Sequence, residues 1–322
     1  MVFSTTTTVH RWILALLTKL FPGSASLHTA LGRLHLRMNE PTPGMRYLWT
    51  ALQCNPNHVP ALTAIANAFV RADDPKRAIP FYRRARTQKP GDVSVAFSLA
   101  NATFECGQIE QAVGMYNEIV ELDACHARGF FNLGHAHKRL DQLDQSAAMF
   151  RKALAIDPTF YKARFMLALV LNEQGQPDAA IAEYQQTVYD RPDYVKAHFN
   201  LGNCFLSRGY VQEAIACYQR VLRLDTTYDK AYVALAQATL QTGALDEARE
   251  AYTAALLLRP DHHKCRYQLA HLLEELGRSK EASLHYQLCL RDAPTSSVAD
   301  RVRQRLAGLQ TAPAHTVSTL TP

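Results

Sequence analysis

Five cations recur along this chain at one interval: Arg128, Lys162, Lys196, Lys230 and Lys264 stand 34 residues apart. Amides and rings follow the same spacing, with Asn101 and Asn203 in one register, Asn132 and Asn200 in another, and Phe97, Phe131, Phe165 and Phe199 in a third. Their chemistry is that of binding. Ammonium and guanidinium groups neutralise carboxylates or phosphates, and an amide side chain offers two donors and an acceptor, enough to hold a peptide backbone without reading its sequence. Nothing comparable argues for catalysis. The sequence has no glycine-rich phosphate loop, paired zinc-ligand motif, nucleophile elbow or kinase signature. His135 and His137 are the closest histidine pair within the repeats, but two residues along a helix is about 200° of rotation, so they point apart. The expectation is a non-enzymatic protein with no cofactor, no metal and no small-molecule substrate.

The elements that position these groups are written at the same period. Prolines stand at 22, 56, 90, 158, 192, 260 and 294, with Ala124 and Thr226 filling the two gaps. Taken as position 32 of a repeat, they define eight units beginning at Ala25, Val59, Val93, Ala127, Tyr161, Val195, Asp229 and His263. Position 8 is Gly or Ala throughout, position 20 is small, and position 24 is aromatic from Tyr82 to Tyr286. Small residues let paired helices approach while the aromatics fill the space between neighbours. Position 15 holds only Asn, Asp or Gly, residue types that tolerate a left-handed backbone where a helix stops. Pro75 and Pro177 suit the first turn of a following helix, whereas Pro80, a turn further in, predicts a kink.

This register resembles the tetratricopeptide repeat family over residues 25–296. The resemblance implies an all-α fold, a right-handed α-solenoid or superhelix of helix-turn-helix repeats in which stacking supplies the core that no single unit can bury. Residues 1–24 read as a capping helix, the orphan second helix of a partial repeat; 25–296 as eight 34-residue units; 297–310 as a C-terminal cap bearing Val298, Val302, Leu306 and Leu309; and 311–322 as a disordered tail. The family likeness also implies that the first helix of each unit lines a concave face, with positions 2, 5, 6, 9, 12 and 13 turned to a ligand. The candidate peptide-binding residues are then Asn101, Arg128, Phe131, Asn132, His135, Arg139, Lys162, Lys196, Asn200, Asn203, Lys230 and Lys264. Asn101, Asn132 and Lys162 resemble part of a clamp with which some family members hold a terminal carboxylate; Phe97 and Met166 stand where that clamp carries cations.

The five cations break a local rule, because the helix macrodipole disfavours positive charge in a first turn by about 0.3–1 kcal/mol each. Repeated violation fits a binding surface, while a solvated Lys ladder fits it too. The aromatic series is likewise open between a groove and a core role. Packed helices lie about 8–10 Å apart and an extended chain advances about 3.3–3.6 Å per residue, so one repeat would match about three ligand residues. The leading expectation is an adaptor or scaffold that binds an extended, acidic linear motif of another protein. Two alternatives stay open: a single-stranded nucleic-acid binder, in which the cations track phosphates, and a structural subunit acting through its convex face or caps. Glu105, Glu173, Glu274 and Glu275 interrupt the basic track and argue against nucleic acid. A net charge of +6 decides neither way. The apolar stretch from Trp12 to Phe21 is too short to span a bilayer, leaving at most a weak membrane-surface contact through residues 11–21. Seven cysteines without a Cys-x-x-Cys pair suit a reducing, cytoplasmic setting.

Overall fold

The computed structural model describes residues 5–311, which form eighteen α-helices and, among the described residues, no strand. After α1 (Thr5–Leu20) come eight consecutive helix pairs: α2 (Ala25–Arg37) with α3 (Pro41–Cys54), α4 (Val59–Arg71) with α5 (Pro75–Gln88), α6 (Val93–Glu105) with α7 (Ile109–Leu122), and α8 (Ala127–Arg139) with α9 (Leu143–Ile156). They continue as α10 (Tyr161–Glu173) with α11 (Pro177–Asp190), α12 (Val195–Ser207) with α13 (Val211–Leu224), α14 (Asp229–Gln241) with α15 (Leu245–Leu258), and α16 (His263–Glu275) with α17 (Ser279–Asp292). A last helix, α18 (Ala299–Thr311), follows. The chain divides into two compact units, residues 1–163 and 164–322.

Each first helix starts on the residue that begins a 34-residue unit, and each stops for one reason. Position 15 has positive φ in all eight pairs, from 58° at Asp73 to 80° at Gly209. Non-glycine residues occur there only as Asn39, Asp73 and Asp141, side chains that bear a left-handed conformation with least penalty. The second turn, between one pair and the next, carries the prolines. Its backbone carbonyl at position 32 is captured by a side chain of the following pair: Pro22 by His28 Nε2 at 2.9 Å, Pro56 by Arg84 at 2.7 Å, Pro192 by His198 Nε2 at 3.1 Å, and Pro260 by Arg266. α5 runs unbroken through Pro80, where the sequence predicts a kink.

Within each unit the core repeats with the register. In the first, Leu48, Tyr82, Tyr116 and Phe150 are all within 2% of complete burial, each at position 24 of its pair. A Cβ added to Gly32 would lie 2.9 Å from the Gly44 carbonyl oxygen, so α2 and α3 approach more closely than a side chain at either position permits. In the second unit Tyr184, Tyr218, Tyr252 and Tyr286 are buried to the same degree against Ala180, Ala214, Ala248 and Ala282. α18 lays buried Val302 and partly buried Leu306 and Leu309 on the core of α16 and α17, joined by buried Val298 just before its start. At the other end, α1 turns Thr18 inward and leaves Trp12, Ile13, Leu16 and Leu20 more than half exposed. The candidate tail, apart from Thr311 at the end of α18, lies outside the described residues, as does the His10 side chain.

Candidate peptide-binding face

Positions 2, 6, 9 and 13 of a first helix are spaced i, i+4, i+7 and i+11, which places them on one stripe. The fold brings such stripes from successive pairs together. In the first unit Pro60 and Ser94 from position 2, Ser98 from position 6, and Arg33 and Asn67 from position 9 line one open cleft of about 330 Å³.

A second cleft in this unit, of about 290 Å³, collects part of the expected site: Asn101, Phe131, Asn132 and His135, joined by Phe104, Glu105 and Tyr116. Asn101 is its organiser. Its Oδ1 accepts the Tyr116 hydroxyl at 2.7 Å and the Asn132 amide at 2.7 Å. That leaves the Asn101 amide N–H groups and the Asn132 carbonyl without partners among the described residues, a donor and an acceptor side by side as a peptide backbone requires. Phe131 is half-buried and has neighbours on three sides: Phe160 at 4.9 Å between ring centroids, Phe150 at 5.7 Å, and His135 at 5.0 Å edge-on. It is core and cleft wall at once. Burial, with the nearby Lys138 charge, holds the His135 pKa below the usual histidine value, so the ring is neutral at pH 7. Arg139 sets its guanidinium 6.0 Å from the Phe104 ring, bringing positive charge to the wall that also carries Glu105. Arg128 and Lys162 are exposed on the same unit, with no side-chain ion pair or hydrogen bond among the described residues.

The second unit carries the rest. Lys196, Lys230 and Lys264 are exposed and likewise unpaired among the described residues. Asn203 is bound as Asn101 is, its Oδ1 accepting the Tyr218 hydroxyl at 2.8 Å. Asn200 differs from Asn132. The preceding position 9 is Leu169, which offers no acceptor, so the Asn200 amide stays unpaired. The aromatic series resolves here too: Phe165 is buried, its ring 5.1 Å from Tyr194 and 5.7 Å from Tyr184, while Phe199 lies 5.2 Å from Tyr228 and 5.9 Å from Tyr218. These rings fill the junction between consecutive pairs rather than form a continuous open stripe.

Three further cations lie outside the candidate residues of the sequence reading. Arg33, Arg37 and Arg71, at positions 9, 13 and 13 of the first two pairs, line one cleft with Leu36, Ala64 and Asn67. Their positions are among those the family likeness turns to a ligand, and Arg139 at position 13 of a later pair is among the candidates, so the same register extended to the first two pairs would have found them.

The geometry defines a class: a protein of tandem helical hairpins whose first helices each carry exposed polar residues. Models of the tetratricopeptide repeat match residues 131–194 and 165–229, and a further one matches 69–128. The model for anaphase-promoting complex, cyclosome, subunit 3 matches residues 207–289. The chain belongs to the tetratricopeptide repeat family. No curated protein matches it. Among solved structures it is similar to YrrB, described as a TPR protein with an unusual peptide-binding site, at 23% identity and TM-score 0.51 over 57% of this chain and 95% of that one. It is also similar to the APC/C hetero-tetramer Cut9–Hcn1, at 14% identity and TM-score 0.54, covering 85% of this chain and 55% of that one. At these identities the likeness is one of fold. Among the described residues no helix is long and apolar enough to cross a membrane.

Proposed function

We propose that this protein is a non-enzymatic adaptor whose first-helix faces hold an extended, acidic segment of another protein. One observation carries the reading. Arg128, Lys162, Lys196, Lys230 and Lys264 recur on five successive first helices, and each is exposed and free of any ion pair among the described residues, although the macrodipole of its own helix opposes it. Unpaired amides beside them, at Asn101 and Asn200, supply contacts to a backbone of any sequence. The peptide-binding description of YrrB agrees with this. Nucleic acid is the less favoured ligand, because Glu105 lines the same cleft as Asn101 and Asn132, and because the rings that would stack on bases are packed against Phe150, Tyr184 and Tyr218. We place the protein in the cytoplasm on its seven free thiols, three of them buried and Cys54 and Cys125 exposed.

Charge reversal tests the reading. Lys196→Glu, Lys230→Glu and Lys264→Glu together are expected to abolish partner recovery in affinity purification, while helical content and Tm stay within a few degrees of the parent, since exposed side chains without partners contribute about 0.5 kcal/mol or less to stability. Recovery of the same partners by the triple variant would overturn it.

A further inference from the structure

The cleft of Arg33, Arg37 and Arg71 adds a site that the cation series does not include. It is a small concavity of about 160 Å³ between α2 and α4, completed by Leu36, Ala64 and Asn67. Neither helix contains an Asp or Glu. Arg33 is anchored, one guanidinium nitrogen donating to the Pro60 carbonyl at 2.9 Å. Arg37 and Arg71 make no described hydrogen bond or ion pair, and all three residues are exposed. Of the carboxylates in the same region, Glu40 pairs with Arg11 and with His35 Nδ1, Asp74 caps α5 and pairs with Arg77, and Asp92 caps α6, while Asp73, at the left-handed stop after Arg71, lines neither this cleft nor the apolar one beside it. Glu105, whose charge along with that of Arg71 acts on the Tyr82 hydroxyl, makes no ion pair with Arg71 and lines the separate cleft of Asn101. Three arginines thus line one cleft, and no carboxylate among the described residues lines it with them.

Like charges gathered in a small cleft repel each other, and an anion removes that penalty. The number of forks selects the anion. A carboxylate has two oxygens and satisfies one guanidinium fork, whereas a phosphoryl group carries a charge near −2 and three terminal oxygens, enough for several forks at once. An apolar slot of about 350 Å³, walled by Leu36, Pro41, Met45 and Phe69, adjoins the cleft through Leu36 and Arg71. We propose that the N-terminal end of the first-helix face is a phosphate-reading subsite, which holds a phosphorylated side chain of an extended peptide with a neighbouring apolar side chain in that slot. The proposal rests on the peptide-binding reading and sharpens it, because it makes capture dependent on a modification of the partner.

The test uses the full chain and three pools of fluorescein-labelled nonapeptides, randomised except for a central phosphoserine, Glu or Ser, followed by fluorescence anisotropy. The phosphoserine pool is expected to bind at least about tenfold more tightly than the Ser pool, with the Glu pool between the two. Arg37→Gln with Arg71→Gln should bring the phosphoserine pool to within about twofold of the Ser pool. On the unaltered protein, free O-phosphoserine should displace the phosphoserine pool and not the Ser pool, a readout that needs no variant. Equal binding of the phosphoserine and Ser pools, or a preference that survives the double substitution, would overturn the subsite while leaving the adaptor reading standing. Failure of all three pools to bind would overturn both.

Discussion

Replacing Tyr218 by Ala is expected to lower the stability of the second unit by about 3–5 kcal/mol, the largest single-residue loss anticipated for this protein. Tyr218 is fully buried in the angle between α12 and α13 and packs with Ala214, Ala234 and Ala238. The seam has no slack, because a Cβ on Gly202 would lie 2.7 Å from the Tyr218 ring. Truncation therefore leaves a ring-sized void between helices that the backbone cannot readily close, and it removes the bond to Asn203. Phe substitutions separate the two contributions. Tyr218→Phe loses only the hydroxyl bond and is expected to cost about 0.5–1.5 kcal/mol. Tyr252→Phe is expected to be neutral or slightly stabilising, because the Tyr252 hydroxyl is buried with no partner, its position-9 neighbour being Gln237 instead of Asn. Urea titrations followed by circular dichroism decide the matter. A loss below about 1 kcal/mol for Tyr218→Ala, or equal losses for the two Phe variants, would contradict this packing.

Alkali should unfold the protein steeply between about pH 10 and 12. Burial raises the pKa of Tyr82 to about 12 and pushes Tyr116, Tyr184, Tyr218, Tyr252 and Tyr286 higher still. The buried or half-buried thiols follow, Cys204 and Cys217 to about 11 and Cys265 to about 12. In every case the folded state holds the proton more tightly than the unfolded chain. The stabilisation is therefore complete below the unfolded pKa, near 8.5 for Cys and 10 for Tyr, and is lost as pH rises toward the folded values. Six tyrosines titrating together set a limiting slope of roughly 8 kcal/mol per pH unit, large against the usual stability of a domain. Phenolate absorbance of the position-24 tyrosines should rise only together with loss of helical ellipticity. All fourteen tyrosines titrating smoothly near pH 10 with the ellipticity intact would refute it.

Much of this architecture is legible in one dimension because the repeat is local. A helix pair closes within 34 residues, so its starts, its left-handed stops and its buried position-24 ring all follow from spacing. The site is less so, because its contacts cross between helices. Asn101 reads in the sequence as a free peptide-binding amide, yet half of its capacity is taken by Tyr116, fifteen residues away, and by Asn132 on the next first helix. Phe131 reads as either groove or core and is both, since Phe150 reaches it from α9 and Phe160 from the turn before α10. The arginine cleft stayed hidden for a related reason: Arg33 and Arg71 are 38 residues apart, off the 34-residue interval, and meet only because position 9 of one helix faces position 13 of the next. The apolar Trp12, Ile13 and Leu16 of α1 remain exposed where the register alone suggests only a cap.

The central claim is that partners are held on the first-helix face, and site-specific photocrosslinking addresses it most directly. A photoreactive phenylalanine is placed in turn at Asn200 on a first helix, at Leu257 on an exposed second-helix surface, and at Leu16 on the exposed side of α1. The account predicts crosslinks to partner protein from Asn200, suppressed by the Lys196→Glu, Lys230→Glu and Lys264→Glu variant, and none from Leu257 or Leu16. Crosslinks from Leu257 or Leu16 with none from Asn200 would contradict it.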